Sequence, residues 1–133
     1  MGMSDRFGFI KKKSAFSVQE TMDNLESTIK DRGIAVFARI NHTRNAVDVG
    51  MSMNYAQVIS FGNPALGTIL MQKNVFLALD LPLRIAVVED DVGDVWAVYT
   101  TTDVLKTRYA FPESEVLTKV DALLDAVTDV ATK

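Results

Sequence analysis

The sequence predicts an α+β protein, a two-layer sandwich in which helices lie mainly on one face of a mixed, mostly antiparallel sheet of about five strands. Strand and helix patterns follow one another in the order β-α-β-α-β-α-β-β-α. The two helices with the clearest apolar stripes lie near the two ends of the chain, where they can form one layer. The last two strands flank a hairpin turn, Asp90-Asp91-Val92-Gly93, and antiparallel neighbours suit a sheet that is covered on one face.

The first strand and the first helix have the sharpest local signals. Phe7–Lys13 is predicted to be a strand, with Phe7 and Phe9 on one face. A capping box, Ser17-Val18-Gln19-Glu20, then starts a helix, because the serine hydroxyl accepts from a backbone N–H three residues on and the glutamate reaches back. Gly33 supplies a left-handed stop. Apolar residues recur at helical spacing in between: Val18, Met22, Leu25 and Ile29.

The next segment is predicted to form two strands joined by a short helix. Ile34–Ile40 is apolar and partly β-branched, which favours a buried strand. Asn41 can cap a short helix that ends at Gly50. Ala56–Phe61 is the third strand.

The middle of the chain turns into a third helix and then into the hairpin. Asn63 is expected to be the N-cap and Pro64 the first residue of a helix that runs to about Lys73. The strands of the hairpin are Leu81–Glu89 and Asp94–Thr100. Their alternation places Arg84 on the face opposite the larger aliphatic residues of its strand.

The C-terminal part contains one ambiguous segment and one clear helix. Thr102–Ala110 matches neither the strand nor the helix pattern well. From Glu113 onward, a strongly amphipathic helix is expected to pack on the sheet or on a partner subunit. Its apolar stripe is Val116, Leu117, Val120, Leu123, Leu124, Val127 and Val130.

Composition limits the class of protein. The 133 residues are 48% apolar and 23% charged, which is typical of one globular domain covering residues 1–133. The absence of cysteine excludes disulfides and thiolate chemistry, and it is compatible with a reducing cytoplasm. No signal-peptide core occurs in Met1–Ser14 and no apolar run is long enough to span a bilayer, so a soluble cytoplasmic protein without a membrane partner is expected.

The charge pattern argues against nucleic acid as a partner. The formal net charge is −3, whereas binding to phosphates requires a concentrated basic face. The only basic run, Lys11-Lys12-Lys13, is expected to lie on a solvated edge strand, where lysines discourage edge-to-edge pairing.

Several stretches together resemble the domain-of-unknown-function family numbered 302. The resemblance extends from about Ser14 to Ala131, and no single stretch would establish it alone. The stretches are Ile40-Asn41-His42, Phe61-Gly62-Asn63-Pro64, Gly67-Thr68, Leu70-Met71, Asp80-Leu81-Pro82-Leu83, Trp96 and Tyr99.

The resemblance implies a compact α+β fold similar to the saddle of the TATA-binding protein, in small bacterial or archaeal proteins that form homodimers. It implies no reaction, since the family has no agreed activity. Two departures restrict the chemistry. Asn41 replaces the family's usual aspartate before the histidine, and Arg108-Tyr109-Ala110 replaces Arg-His-Gly, so a two-histidine metal site within one subunit is not expected.

His42, the only histidine, is the leading candidate for chemistry. It follows a strand, where ligand-binding residues are often found, and its ordinary pKa suits proton transfer. The alternative is a histidine that only bonds its own loop. Arg84 is expected to form an ion pair with Asp80 or Glu89, or to hold an anionic ligand.

The helix that follows Gly62 is the second candidate site. Its first N–H groups and its dipole can hold an anion, and the segment lacks the Lys-Ser/Thr ending of a P-loop. Gly67 costs helix stability, so it suggests close approach either of another element or of a ligand. The predicted ligand-binding residues are Asn41, His42, Gly62, Asn63, Gly67, Thr68 and Arg84.

Three functions follow from these candidates. The first is a homodimeric module that binds a small anionic molecule between the Asn41-His42 loop and the Gly62–Thr68 turn, with no cofactor or metal. The second is an enzyme that uses His42 as a general acid or base. The third is a structural or interaction protein in which the Val116–Val130 face of the last helix, with Leu124 near its centre, forms a dimer interface.

Overall fold

The computed structural model describes residues 8–111 and 114–133 of the chain. Phe7 and Glu113, the predicted starts of the first strand and the last helix, lie outside the described residues. The described strands are β1 (Phe9–Ser14), β2 (Ala35–Asn41), β3 (Ala56–Gly62), β4 (Leu83–Glu89) and β5 (Val95–Thr100). The described helices are α1 (Val18–Asp31), α2 (His42–Asp48), α3 (Pro64–Lys73), α4 (Thr102–Arg108) and α5 (Glu115–Thr132), with a 3-10 helix at Val75–Leu79.

The five strands form one sheet in the order β1-β5-β4-β3-β2. Helix α1 carries the chain from one edge strand to the other, and the meander β3-β4-β5 fills the space between them. The predicted α+β class is confirmed. Every neighbouring pair of strands is antiparallel, so the sheet is more regular than the mixed sheet that was expected.

Local capping signals predicted several helix boundaries correctly. The Ser17 hydroxyl accepts from the backbone N–H of Glu20 at 3.1 Å. Gly33 ends the first helical segment with a φ of +73°. Asn41 caps α2 by accepting from the N–H of Arg44 at 2.9 Å. The segment without a clear pattern, Thr102–Ala110, contains α4.

The main core lies between one face of the sheet and the helices α1 and α5. We call this the inner face; it carries Ile59, Phe61, Ile85, Val87, Val95, Ala97 and Tyr99. On α5, Leu124 is only 2% exposed and packs in this core. The alternative in which the face of α5 around Leu124 forms a dimer interface is therefore wrong, because the same chain already covers it.

Lys12 differs from the solvated lysine that was expected. Strand β1 is an edge strand as predicted, but Lys12 points to the inner face and its side chain is 5% exposed. Its ammonium contacts Asp125 and Asp129 of α5, each at 2.7 Å. The reason is the docking of α5 beside β1, which local sequence does not encode.

Candidate functional site

The two segments expected to form one pocket lie at opposite ends of β2 and β3. Antiparallel pairing places Ala35 opposite Gly62 and Asn41 opposite Gln57. Because a strand rises about 3.3 Å per residue, the length of β2 separates the two ends by about 20 Å. The prediction of a single pocket between Asn41-His42 and the Gly62–Thr68 turn is therefore wrong, and each end of β2 borders a different cavity.

His42 is an exposed residue in the first turn of α2. No hydrogen bond or ion pair involves its ring within residues 8–111 and 114–133. Its neighbour Asn41 uses its side-chain oxygen to cap α2. A general acid or base is normally oriented by a partner and shielded from water, and His42 has neither here.

The groove beside Asn41 includes polar side chains, and some of these bind within the chain. Its volume is about 510 Å³, and Thr43 and Gln57 are among the residues that line it. Thr43 donates to the carbonyl of Asn54 and accepts from the N–H of Ala56. Gln57 accepts from Arg39 and donates to Gln19. The side chains of Thr43 and Gln57 are therefore already engaged within the chain.

The cavity at the other end of β2 has more apolar surface than the groove beside Asn41. We call it the α3 cavity. It has a volume of about 440 Å³. Residues of β2, α3, α4 and α5, the end of β3 and the start of β4 line it. Its apolar walls include Ile34, Phe37, Leu66, Leu70, Met71, Leu81, Leu83, Leu105, Leu117, Val120 and Leu123.

Gly67 belongs to the wall of the α3 cavity. A Cβ atom built on Gly67 would find its nearest neighbours, the ends of Leu81 and Met71, at 4.0 Å. This is an ordinary van der Waals distance, so packing within the chain does not require glycine at this position. The two reasons expected for Gly67, approach of another element and approach of a ligand, therefore both stay predictions.

The polar groups of the α3 cavity are satisfied within the chain. Asn63 accepts from the N–H of Ala65 at 2.9 Å and so caps α3 itself. The hydroxyl of Thr68 donates to the carbonyl of Pro64 at 2.7 Å. An anion at this helix terminus would have to compete with the Asn63 cap, so the site suits an apolar molecule better than an isolated charge.

A stretch that carries the resemblance, Asp80–Leu83, meets the stretch that departs from it, Arg108–Ala110, at a carboxylate. We call this group the Asp80 cluster. Asp80 accepts from Arg108 at 2.8 and 3.0 Å and from the phenol of Tyr109 at 2.5 Å. Arg84 lies 3.8 Å from the same carboxylate, which confirms the expected ion pair. Burial would by itself raise the pKa of Asp80, but the hydrogen bonds from Tyr109 and Arg108 outweigh burial and lower that pKa.

Sequence reasoning missed the contribution of the C-terminal half to these sites. Leu105, Leu117 and Val120 line the α3 cavity, and Arg108 belongs to the Asp80 cluster. The apolar residues looked like core positions, because a cavity wall and a packed core have the same pattern in a sequence. Arg108 was singled out only as part of a departure from the family pattern.

Residues 8–111 and 114–133 contain no group of three or more His, Cys, Asp or Glu placed to hold a metal ion. Within the same ranges, no helix has both the length and the apolar character needed to cross a membrane.

Comparison with known proteins gives a family and a fold. Residues 10–127 match the family model described as "Domain of unknown function DUF302". The crystal structure of an uncharacterized conserved DUF302 protein from Bacillus stearothermophilus superimposes with a TM-score of 0.83. The match covers 95% of this chain and 98% of that chain at 17% sequence identity, so it shows the shared fold.

Curated relatives match over a shorter part of their length. Proteins named fluoride-specific ion channel FluC 1 from Brucella suis biovar 1 (strain 1330) and Brucella abortus biovar 1 (strain 9-941) are each 35% identical over 103 residues. The matched region is 77% of this chain but 41% and 38% of those two relatives. The chain thus spans about two-fifths of the curated relatives that it matches.

Proposed function

The chain belongs to the DUF302 family, and from this premise we propose that it is a binding module that holds a small, mainly apolar molecule in the α3 cavity. The observation that carries the proposal is the mainly apolar wall of the α3 cavity. Gly67 belongs to this wall although its position in a helix costs up to about 1 kcal/mol relative to alanine. A glycine that costs helix stability, and that packing within the chain does not require, is expected to serve a ligand.

The stretches that resemble the family most specifically support the same cavity. Gly62-Asn63-Pro64, Gly67-Thr68 and Leu81-Pro82-Leu83 all contribute residues to its wall. Its volume of about 440 Å³ falls within the range of roughly 300–1,000 Å³ that is common for small-molecule sites. Transfer of an apolar ligand from water to this wall is favourable by about 25 cal/mol for each Å² removed from water.

A neutral fluorescent ligand tests the proposal. N-phenyl-1-naphthylamine, which fluoresces in apolar surroundings, is expected to bind the protein with saturable enhancement of fluorescence. Gly67→Leu, which adds an isobutyl group to the cavity wall, is expected to weaken this binding at least about tenfold because it takes up ligand volume. The measurement is a fluorescence titration.

Gln72→Leu is the matched control, because it adds the same side chain to an exposed position of α3 outside the cavity wall. This variant should bind the dye like the wild type. Equal affinity of the Gly67→Leu variant and the wild type would refute the α3 cavity as the site.

We also propose that two copies associate through the outer face of the sheet, the face opposite α1 and α5. One row across this face, Ile40, Val58, Ala86 and Val98, is apolar and partly exposed, and its register follows from the strand pairing. Burial of such a row against a second copy would remove apolar surface from water, which is the usual driving force of homodimers.

Sedimentation velocity tests this association. The wild type is expected to sediment as a dimer, and Val58→Arg, which places a charge at the centre of the row, as a monomer with an intact fold. Val92→Arg is the control, because Val92 lies in the hairpin turn and is 83% exposed. A Val58→Arg variant that remains dimeric would exclude the outer face as the interface.

The cytoplasmic location expected from the cysteine-free sequence stays a prediction, which cell fractionation checks.

A further inference from the structure

A small polar cavity opens where β4 and β5 separate. The two strands pair only from Ala86 to Glu89, whereas β4 stays paired with β3 back to Leu83. The unpaired stretch of β4 leaves a cavity of about 170 Å³ between the strand ends and α4. We call it the strand-end cavity; its polar side chains are Asp80, Arg84, Thr100, Thr101, Thr102 and Arg108.

The charge balance of the strand-end cavity is positive. Two guanidinium groups, on Arg84 and Arg108, face one carboxylate, on Asp80. Both oxygens of Asp80 accept from Arg108, and one also accepts from Tyr109. Arg84 is 3.8 Å from Asp80, which is too long for a hydrogen bond, so its donors are open. Arg84 presents several donors in a planar fork that matches a carboxylate or phosphate.

Thr101 adds an unused hydroxyl to the same wall. The residue is 8% exposed, and its Oγ1 is the only buried side-chain nitrogen or oxygen without a hydrogen-bond partner in the described part of the chain. Thr101 also precedes α4 without capping it. Buried hydroxyls are nearly always hydrogen-bonded, because leaving one unpaired is destabilising. The oxygen itself has almost no accessible surface, so a partner from outside the chain would satisfy it only after a small shift of the wall.

The strand-end cavity adjoins the α3 cavity. Leu83, Leu105 and Val120 belong to the walls of both. An apolar space of about 440 Å³ therefore borders a smaller one with two arginines and an unpaired hydroxyl. Two neighbouring compartments of opposite polarity match the two parts of an amphipathic molecule.

We propose that the strand-end cavity binds the anionic head of the ligand whose apolar body occupies the α3 cavity, so that the ligand class is an amphipathic carboxylate. This inference rests on the proposed binding function and specifies its ligand. Arg84 binds the carboxylate through its open donors, and Thr101 donates the hydroxyl that lacks a partner. Asp80 holds Arg108 in place and sets the orientation of the cluster.

Three ligands of equal chain length test the head-group subsite: decanoate, decanol and decylamine. Each displaces bound N-phenyl-1-naphthylamine from the wild-type protein at neutral pH, below the concentration at which it forms micelles. Decanoate is expected to act at a concentration about tenfold lower than decanol, because a charged hydrogen bond at the arginine adds to the burial of the chain. Decylamine should be the weakest, since its charge meets two guanidinium groups.

Two variants assign the effect to residues. Arg84→Gln is expected to remove the preference for decanoate over decanol and to leave dye binding unchanged. Arg44→Gln, which removes an exposed arginine outside both cavity walls, is the control and should keep the preference. Thr101→Val should weaken the binding of decanoate. It should also raise the melting temperature of the ligand-free protein, since it removes an unsatisfied buried hydroxyl without changing side-chain shape.

The outcomes separate this inference from the proposed function. Dye binding with equal displacement by decanoate and decanol would overturn the head-group subsite and leave the α3 cavity as a site for neutral molecules. Stronger displacement by decylamine would overturn it as well, because Asp80 would then dominate the cavity. Absence of any dye binding would overturn both proposals.

Discussion

Leu124→Asp is expected to unfold the protein. The Leu124 side chain is 2% exposed and lies in the core between α5 and the sheet. Loss of its apolar contacts costs about 2–5 kcal/mol, and a buried unpaired carboxylate costs several kcal/mol more. The sum reaches most of the roughly 5–15 kcal/mol that stabilises a typical domain. Loss of the far-UV circular dichroism of the native state measures the effect.

Val130→Asp provides the matched control for this substitution. Val130 lies on the same helix and is 60% exposed, so an added carboxylate there stays hydrated. The control should keep its secondary structure. Its midpoint of urea unfolding should stay within about a few tenths of a molar unit of the wild-type value. A folded but monomeric Leu124→Asp variant would contradict the structure, because it would place Leu124 at an interface between copies.

The second largest effect on stability is expected at the ion pairs of Lys12. Removal of the two carboxylates should cost more than removal of the ammonium. The double variant with Asp125→Asn and Asp129→Asn leaves the buried ammonium of Lys12, which is 5% exposed, without a counter-charge. We expect this variant to lose about 3 kcal/mol of stability. Lys12→Met leaves the two carboxylates, which are 47% and 31% exposed and can rehydrate, so it should cost about 1 kcal/mol or less.

The triple variant with Lys12→Met and both asparagines isolates the cause. It should recover most of the stability that the double variant loses, because no buried charge remains. Urea unfolding of all three variants gives the comparison. If the double variant were as stable as Lys12→Met, the buried ammonium would not be the source of the effect.

The ion pairs of Lys12 also indicate how the stability of the protein depends on pH. Burial alone would lower the pKa of Lys12, but hydrogen bonds to Asp125 and Asp129 outweigh it and raise this pKa. The stability from Lys12 is therefore complete below the unfolded pKa of about 10.4 and is lost as the pH rises through the higher folded value. The hydrogen bond from Lys12 lowers the pKa of Asp129, so its contribution is present above about pH 3.9 and is lost as the pH falls through the lower folded value.

The sequence alone predicted the five strands, four of the five α-helices and several boundaries, but not α4 or the 3-10 helix. The capping serine, the two capping asparagines and Gly33 act within three or four residues of chain, and this short range makes them readable without a structure. Strand alternation likewise placed Arg84 opposite the core face, and Arg84 proved to be exposed. Gly67 was identified as unusual, although the sequence left open what approaches it.

Tertiary structure decided where the candidate residues lie relative to one another. The register of β2 and β3 placed Asn41-His42 and Gly62 at opposite ends of the strands, so two plausible motifs do not make one site. Docking of α5 turned Lys12 from a surface charge into a buried one. The separation of β4 and β5 brought Asp80 and Arg108, 28 residues apart, into one cluster. Local sequence acts over one turn of helix or one strand, whereas register and docking minimise the free energy of the whole chain.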